Sequence, residues 1–320
     1  MTKGIVLWAY KRQYYWQAYN MAFSIKHFNP DVKIFLWTDD GLEKEIRESQ
    51  LWVFDQIGRI PSEILFDSGK PDPCNVKLNL YEACPFDYNL YLDVDGICMQ
   101  DIAPMIDELI ETGQDFITTV LDTHTKSQGR VIPNMNWAFS DDIWSHYTLS
   151  DEAVLPCINS SFMFIKKGEK AKAIFDKAKE NYANKIPLNK LRHQWGGGQP
   201  DELYFNIALC QLGLIPKSPR QYLLYGNRLT GKSESQNEAD YFILAMWGNA
   251  RMILSTYKTY YDNKLIRYHR AKGEAHLYKW SNIQNHKHAN IMPVKFQPEP
   301  KPERSGTKMK IEVPKELMWI

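Results

Sequence analysis

The stretch GIVLWAYKRQYYWQAYNMAFSIKHFNPDVKIFLWT, residues 4–38, changes its hydrophobic period twice, and those changes decide the fold class. Residues 4–10 form one short apolar run, the signature of a strand buried on both faces. From Tyr14 the period lengthens: Tyr15, Ala18, Tyr19, Ala22 and Phe23 recur at helical spacing, which predicts a helix over 12–28. Asn29-Pro30-Asp31 marks a turn, and residues 32–38 are again a buried strand. A short helix over 41–50 and a third strand over 51–57 follow. A β-α-β-α-β order argues for a parallel sheet with helices on both faces.

Outward from there, residues 58–74 read as a proline-marked loop, and 76–83 as a short helix. Strands are expected at 88–94, 115–121 and 157–167, and an amphipathic helix at 168–185. Residues 122–154 are polar, aromatic and irregular, an insertion of the kind that often serves as a lid or binding platform; Trp137, Phe139 and Trp144 lie in it. A helix begins at Asp201 after Gly196–Pro200. Short strands, including 264–270, follow Gly248. Residues 293–308 are a Pro- and charge-rich linker, and the last dozen residues turn apolar again. The expected division is a catalytic domain over 1–290 and a linker with a C-terminal peptide over 291–320.

The 320 residues carry a net charge of +1, which favours neither nucleic acid nor an acidic surface as partner. The balance is uneven. Residues 251–320 hold 14 Lys and Arg against 6 Asp and Glu, so the basic surplus sits in the C-terminal part. It suits an anionic ligand or a solvated tail. The five cysteines match no zinc or CxxC spacing, and no run is apolar and long enough to span a bilayer. Free thiols without a leader segment lead us to expect a cytoplasmic protein.

The chemistry concentrates in YNLYLDVDGICMQD, residues 88–101. An apolar strand runs into Asp93, Val94, Asp95 and Gly96. Ligands of open parallel sheets gather at the carboxyl ends of strands. Carboxylates at i and i+2 of an extended segment point the same way, with Val94 turned aside and Gly96 allowing a sharp turn. Such a pair suits a hard divalent cation. An ordinary Asp-Gly turn would also produce it, unless something positive waits at the strand end.

The sequence of landmarks resembles the GT-A glycosyltransferases, most closely the glycogenin-like family GT8, over residues 4–280. Tyr14 stands where the family stacks a tyrosine on uracil. Lys77 in VKL matches a lysine upstream of the metal strand, and Asp93-Val94-Asp95 matches the family's DxD. Asn159-Ser160-Ser161 matches NSG. Asp201 and Glu202, opening DELYFN, match its DQ…N helix start. His269 and Lys279-Trp280 match a late His and Lys-Pro-Trp. Five features depart from the pattern: Ser161 stands for Gly, Glu202 for Gln, Gly198 for an acidic residue, three residues separate His269 from Gly273 where the family has two, and the interval to Lys279 is longer.

The resemblance implies a GT-A nucleotide-diphospho-sugar transferase fold, a three-layer α/β/α sandwich on a mainly parallel, Rossmann-like sheet. It implies a hexosyltransferase that retains configuration and uses a UDP-sugar. Mn²⁺, with Mg²⁺ as second choice, would sit on Asp93, Asp95 and His269. Tyr10, Tyr14, Lys77, Asp93, Val94, Asp95 and Lys279 would hold the donor, and Asn159, Asp201 and Glu202 would carry catalysis. The acceptor would be a glycan, a protein or a lipid-linked hydroxyl, and the tail a route to a partner or a homo-oligomer.

Each residue has a plainer role open to it. Tyr14 could be a core aromatic, Lys77 a helix-face cation and Asn159 a satisfier of buried backbone. Carboxylates at a helix start, such as Asp201 and Glu202, are favoured by the macrodipole alone. Two other classes stay open: a catalytically idle binding protein of the same fold, and a nucleotidyltransferase. The latter would show a Gly-rich loop after the first strand, where AYKRQYYWQ has none.

Overall fold

A computed structural model describes residues 1–46, 48–67, 69–132, 137–191, 199–225 and 241–245. In chain order the elements are β1 (Lys3–Ala9), α1 (Arg12–Phe28), β2 (Lys33–Thr38), α2 (Leu42–Glu45), β3 (Gln56–Arg59), α3 (Ser62–Leu65), β4 (Phe66–Asp67), β5 (Lys70–Pro71), α4 (Pro73–Leu78) and α5 (Leu80–Ala83). They continue as β6 (Tyr88–Leu92), β7 (Gly96–Cys98), α6 (Ala103–Glu111), β8 (Phe116–Thr125), α7 (Ser140–His146), β9 (Val154–Lys166), α8 (Glu169–Ala183), α9 (Asp201–Gln211), β10 (Leu223–Tyr225) and β11 (Ile243–Ala245).

The main sheet has the order β3-β2-β1-β6-β9-β8. The first three pairings are parallel, and β9 runs antiparallel between β6 and β8. Five of the six strands therefore point the same way, as the β-α-β alternation predicts. Burial on both faces splits the strands by parity. Ile5, Leu7, Ile34, Leu36, Leu90 and Leu92 face one core, with α1 and α6 packed on it. Val6, Phe35, Trp37, Tyr91, Met163 and Ile165 face the other, beneath α8 and α9. The result is three layers, α/β/α. Burying such side chains contributes about 1.5–3 kcal/mol each.

Several sequence expectations need correction. The segment expected as a third strand is mostly a 3-10 turn, Glu48–Val53, and β3 is only its end. The helix expected over 41–50 is four residues long. The proline-marked loop contains α3 and the β4–β5 hairpin. The helix expected over 76–83 is two, meeting at Asn79. The irregular insertion is shorter than expected, since β8 extends to Thr125 and α7 occupies part of the remainder. β7 was not foreseen; it pairs antiparallel with β11 in a small second sheet. Short elements fail in this way because tertiary pairing overrides weak local preference.

All five cysteines are unpaired. Burial pushes the Cys84, Cys98 and Cys157 thiols up to about 12, so none is a poised nucleophile. Among the described residues, no helix is long and apolar enough to cross a membrane.

Candidate active site

Something positive does wait at the end of β6, and it is Lys77. Its helix, α4, begins with Pro73 at the first position, and Asp72 caps it by accepting from the Asn75 N–H at 3.2 Å. Asp72 is held in turn by the Tyr182 hydroxyl, from α8. This anchoring aims the last turn of α4 at the sheet edge. There the Lys77 ammonium lies 3.0 Å from Asp93 Oδ1 and 3.2 Å from Oδ2, 2.9 Å from Ser160 Oγ and 3.4 Å from Asp201 Oδ2. Lys77 is buried, and the Tyr91 ring lies beneath its ammonium. Tyr91 also donates its hydroxyl to Asp93 Oδ1. Burial acts to pull the Lys77 pKa down, but Asp201, Asp93 and Glu202 outweigh it and hold the group above its ordinary value.

Ser160 reaches this network because β9 is irregular. Thr118 of β8 pairs with Met163, but the next residue, Thr119, pairs with Asn159, so Ser160, Ser161 and Phe162 are extra on the β9 side. The Thr118 hydroxyl pins the bulge from within, 3.0 Å from the Asn159 carbonyl and 2.8 Å from that of Phe162. Asn159 Oδ1 accepts from the Ser161 N–H at 3.0 Å, and the Ser161 carbonyl accepts from the Asp93 N–H at 2.9 Å. The bulge thus fastens the NSS segment to the start of the Asp-Val-Asp turn.

α9 closes the third side. Asn206 is fully buried and accepts from the Ile158 N–H at 3.0 Å, which locks the helix onto β9. Its first turn presents Asp201 and Glu202. Glu202 accepts from the Ser160 N–H with one oxygen and from the Trp137 indole N–H with the other, both at 3.2 Å. The residue keeps some accessible surface, yet its carboxyl group is enclosed by protein. Burial, then the neighbouring Asp201, push it up to about 7.

The end of β1 lies beside β6 in parallel register, Val6 opposite Tyr91. Tyr10 follows there, edge-on to Phe66 with ring centres 6.0 Å apart, and the Lys11 ammonium is 5.1 Å from the Tyr10 ring centre. Lys11 has φ 73° and ψ 154°, a region that costs a non-glycine residue about 1–3 kcal/mol. The chain tolerates strain at the carboxyl edge of the sheet, where α/β proteins place ligands. Tyr14 is half-buried and packs against the first core.

Of the residues singled out from sequence, Lys77, Asp93, Asn159, Asp201 and Glu202 come together in one hydrogen-bonded and ionic cluster. Asp95 lies two residues on in the turn and is half-buried. The Val94 side chain packs in the first core. Tyr10 and Tyr14 occupy the neighbouring strand end and first helical turn. His269 and Lys279 lie outside the described residues, as does the 291–320 segment. Among the described residues, no group of three or more His, Cys, Asp or Glu is placed to hold a metal ion. Sequence reasoning missed Ser160 as a lysine ligand, Tyr91 as a carboxylate partner and Thr118 as the pin of the bulge. The tyrosine's alternation with Leu90 and Leu92 carried its strand role, but no local signal marks a bulge.

No protein-family model matches the chain, and no curated protein matches it in sequence. Solved structures of similar fold include the following three. One is the galactosyltransferase LgtC in complex with donor and acceptor sugar analogs, at 12% identity over 84% of this chain and 96% of that one, with a TM-score of 0.48. The bifunctional glycosyltransferase WbbM is 10% identical over 77% of this chain and 45% of its own, with a TM-score of 0.48. Mouse xyloside xylosyltransferase 1 is 10% identical over 79% of this chain and 100% of its own, with a TM-score of 0.46.

Proposed function

We propose that the chain is a GT-A-type glycosyltransferase that moves a hexose from a nucleoside diphosphate sugar, a UDP-sugar, to an acceptor hydroxyl of a glycan, protein or lipid-linked compound. The observation that carries this reading is the cluster at the strand ends. Two acids, Asp93 and Asp201, pair with one ammonium at the strand end and a third, Glu202, acts on it from farther off, an acid surplus that suits further positive charge.

Asp93 and Asp95 offer hard oxygen donors, a set that fits Mn²⁺ or Mg²⁺, and His269 would complete it with a nitrogen that favours Mn²⁺. When bound, the ion supplies Lewis-acid neutralisation of a diphosphate leaving group. The chain's own residues do the rest. Tyr10 and Tyr14 offer aromatic surface to the base. Lys77 and Lys279 carry positive charge to the phosphates, an interaction that strengthens as the C–O bond breaks. Asn159 and Glu202 position the sugar and the incoming hydroxyl, and Asp201 stabilises positive charge at the anomeric carbon. Retention of configuration is part of the proposal through the resemblance alone. A cytoplasmic setting suits the unpaired thiols.

A second reading is a catalytically idle binding protein, favoured by the way Lys77 already neutralises Asp93. A calorimetric screen of UDP- and GDP-sugars with and without Mn²⁺, followed by mass spectrometry for hydrolysed or transferred sugar, separates the two. The enzyme reading expects Mn²⁺-dependent binding of a UDP-sugar and slow release of free sugar. Binding without turnover under any acceptor condition supports the idle protein, and no binding of any nucleotide sugar defeats both.

A further inference from the structure

Both oxygens of Asp93 are already engaged. Lys77 lies 3.0 Å from one and 3.2 Å from the other, and the Tyr91 hydroxyl is donated to the first. A divalent ion taken up by this carboxylate would come to rest beside a buried ammonium, with little water between the two like charges to screen them. The ammonium has another seat. Asp201 Oδ2 lies 3.4 Å away, and apart from that ion pair it is buried with no hydrogen-bond donor among the described residues. Ser160 Oγ accepts from the ammonium at 2.9 Å. A lysine ammonium is a compact charge on a flexible stem, so it can shift between such seats without the geometric loss a guanidinium would suffer.

We infer that Lys77 is the resident counter-ion of this site and competes with the divalent metal for Asp93, so that metal enters together with an anionic donor that helps draw the ammonium toward Asp201. The inference rests on the metal–nucleotide reading above and adds an order of binding to it. Alone, a metal ion must displace Lys77 with no new anion to receive it. With a diphosphate present, the ammonium gains an anion and Asp93 is released to the metal. Coupling of this kind is reciprocal: nucleotide tightens metal binding by the factor by which metal tightens nucleotide binding.

The test measures Mn²⁺ affinity of the full chain by electron paramagnetic resonance of unbound Mn²⁺, with and without UDP. Wild type is expected to bind Mn²⁺ weakly without UDP. Lys77→Met should tighten that UDP-independent binding at least about tenfold and shrink the enhancement that UDP brings. Lys3→Met removes the same charge at the opposite end of the sheet, where Lys3 pairs with Asp107. It should stay within about twofold of wild type, because exposed charges at that distance are screened. Equal Mn²⁺ affinity of wild type and Lys77→Met without UDP, or equal tightening by Lys3→Met, overturns the inference. In either case Mn²⁺ binding with UDP would leave the metal–nucleotide reading intact. If no variant binds Mn²⁺ even with UDP, that reading fails and the inference with it. Should Lys77→Met not fold, as a thermal melt would reveal, Asp201→Asn decides. Removing the second seat should weaken Mn²⁺ binding in the presence of UDP about fivefold or more, and an unchanged affinity overturns the inference.

Discussion

Two buried lysines sit at opposite edges of the same sheet, and their surroundings differ in one respect. Lys26, at the end of α1, donates to the carbonyls of Pro30 and Val32 at 3.0 and 2.8 Å and to Asp55 at 2.7 Å. Asp55 is shared with Lys33 and with the Ile34 N–H. Burial would raise its pKa, but the two lysines and that N–H outweigh burial and hold it below the ordinary carboxylate range. One acid serves two cations, and all three ammonium hydrogens of Lys26 have acceptors around the turn into β2. At the other edge, one cation serves three acids. Asp201 Oδ2 accepts no hydrogen bond among the described residues, and the Glu202 carboxyl is pushed up to about 7. A buried lysine is therefore no sign of function by itself. The balance of charge around it distinguishes a clamp from a site.

Breaking the clamp should give the largest effect. Lys26→Met leaves Asp55 partly unpaired and should cost about 2–4 kcal/mol of unfolding free energy in urea, with Mn²⁺-dependent UDP binding unchanged. If the variant instead loses UDP binding at wild-type stability, the division of labour between the two edges is wrong.

At the site the expectation reverses. Asp95→Asn should weaken Mn²⁺-dependent UDP binding by at least about 100-fold, close to 2.7 kcal/mol by calorimetry. Unfolding stability should stay within about 1 kcal/mol, since the residue is half-buried at a turn. Equal UDP affinity in the variant and wild type, with Mn²⁺ present, would remove Asp95 from the site.

The charge imbalance should also appear as a pH dependence. Glu202 binds its proton more tightly in the folded chain, at about 7, than it would unfolded, at about 4.3. The folded state thus holds more protons between those values. Its contribution to stability is complete below about pH 4 and is lost as pH rises through about 7. Glu202→Gln keeps the shape without the charge. It should stabilise the fold by about 1–3 kcal/mol at pH 8 and by almost nothing at pH 4. Parallel denaturation curves of variant and wild type across that range would show that Glu202 is not strained.

The smallest effect concerns the bulge that brings Ser160 to Lys77. Thr118→Val removes a buried hydroxyl while keeping the side-chain shape, and should cost about 1 kcal/mol. Backbone amide shifts should move at Ser160 and Ser161 and stay fixed around Lys26. Shifts confined to β8 would mean that the bulge holds itself.

Much of this molecule is legible locally. The switch from strand to helix period and back over residues 4–38 requires β1, α1 and β2, and α9 begins at the Asp201 that its flanking glycines and proline announce. Asp93 and Asp95 at the end of an apolar strand raise the question of a positive partner, since an unpaired charge is costly to bury. Periodicity reports which residues face a core, however, not which strand lies beside which. The reversal of β9 between β6 and β8 and the extra residues opposite Thr118 have no sequence signature. The partner of Asp93 is likewise beyond local reading. Lys77 is 16 residues away from it, and Asp201 lies far along the chain from both. Sequence by itself determined the layers and named the acids that stand at the strand and helix ends. Tertiary structure alone decided that one buried ammonium holds them together. Ion pairs between distant segments form only when the whole sheet has closed, and nothing in the short-range pattern encodes their distances.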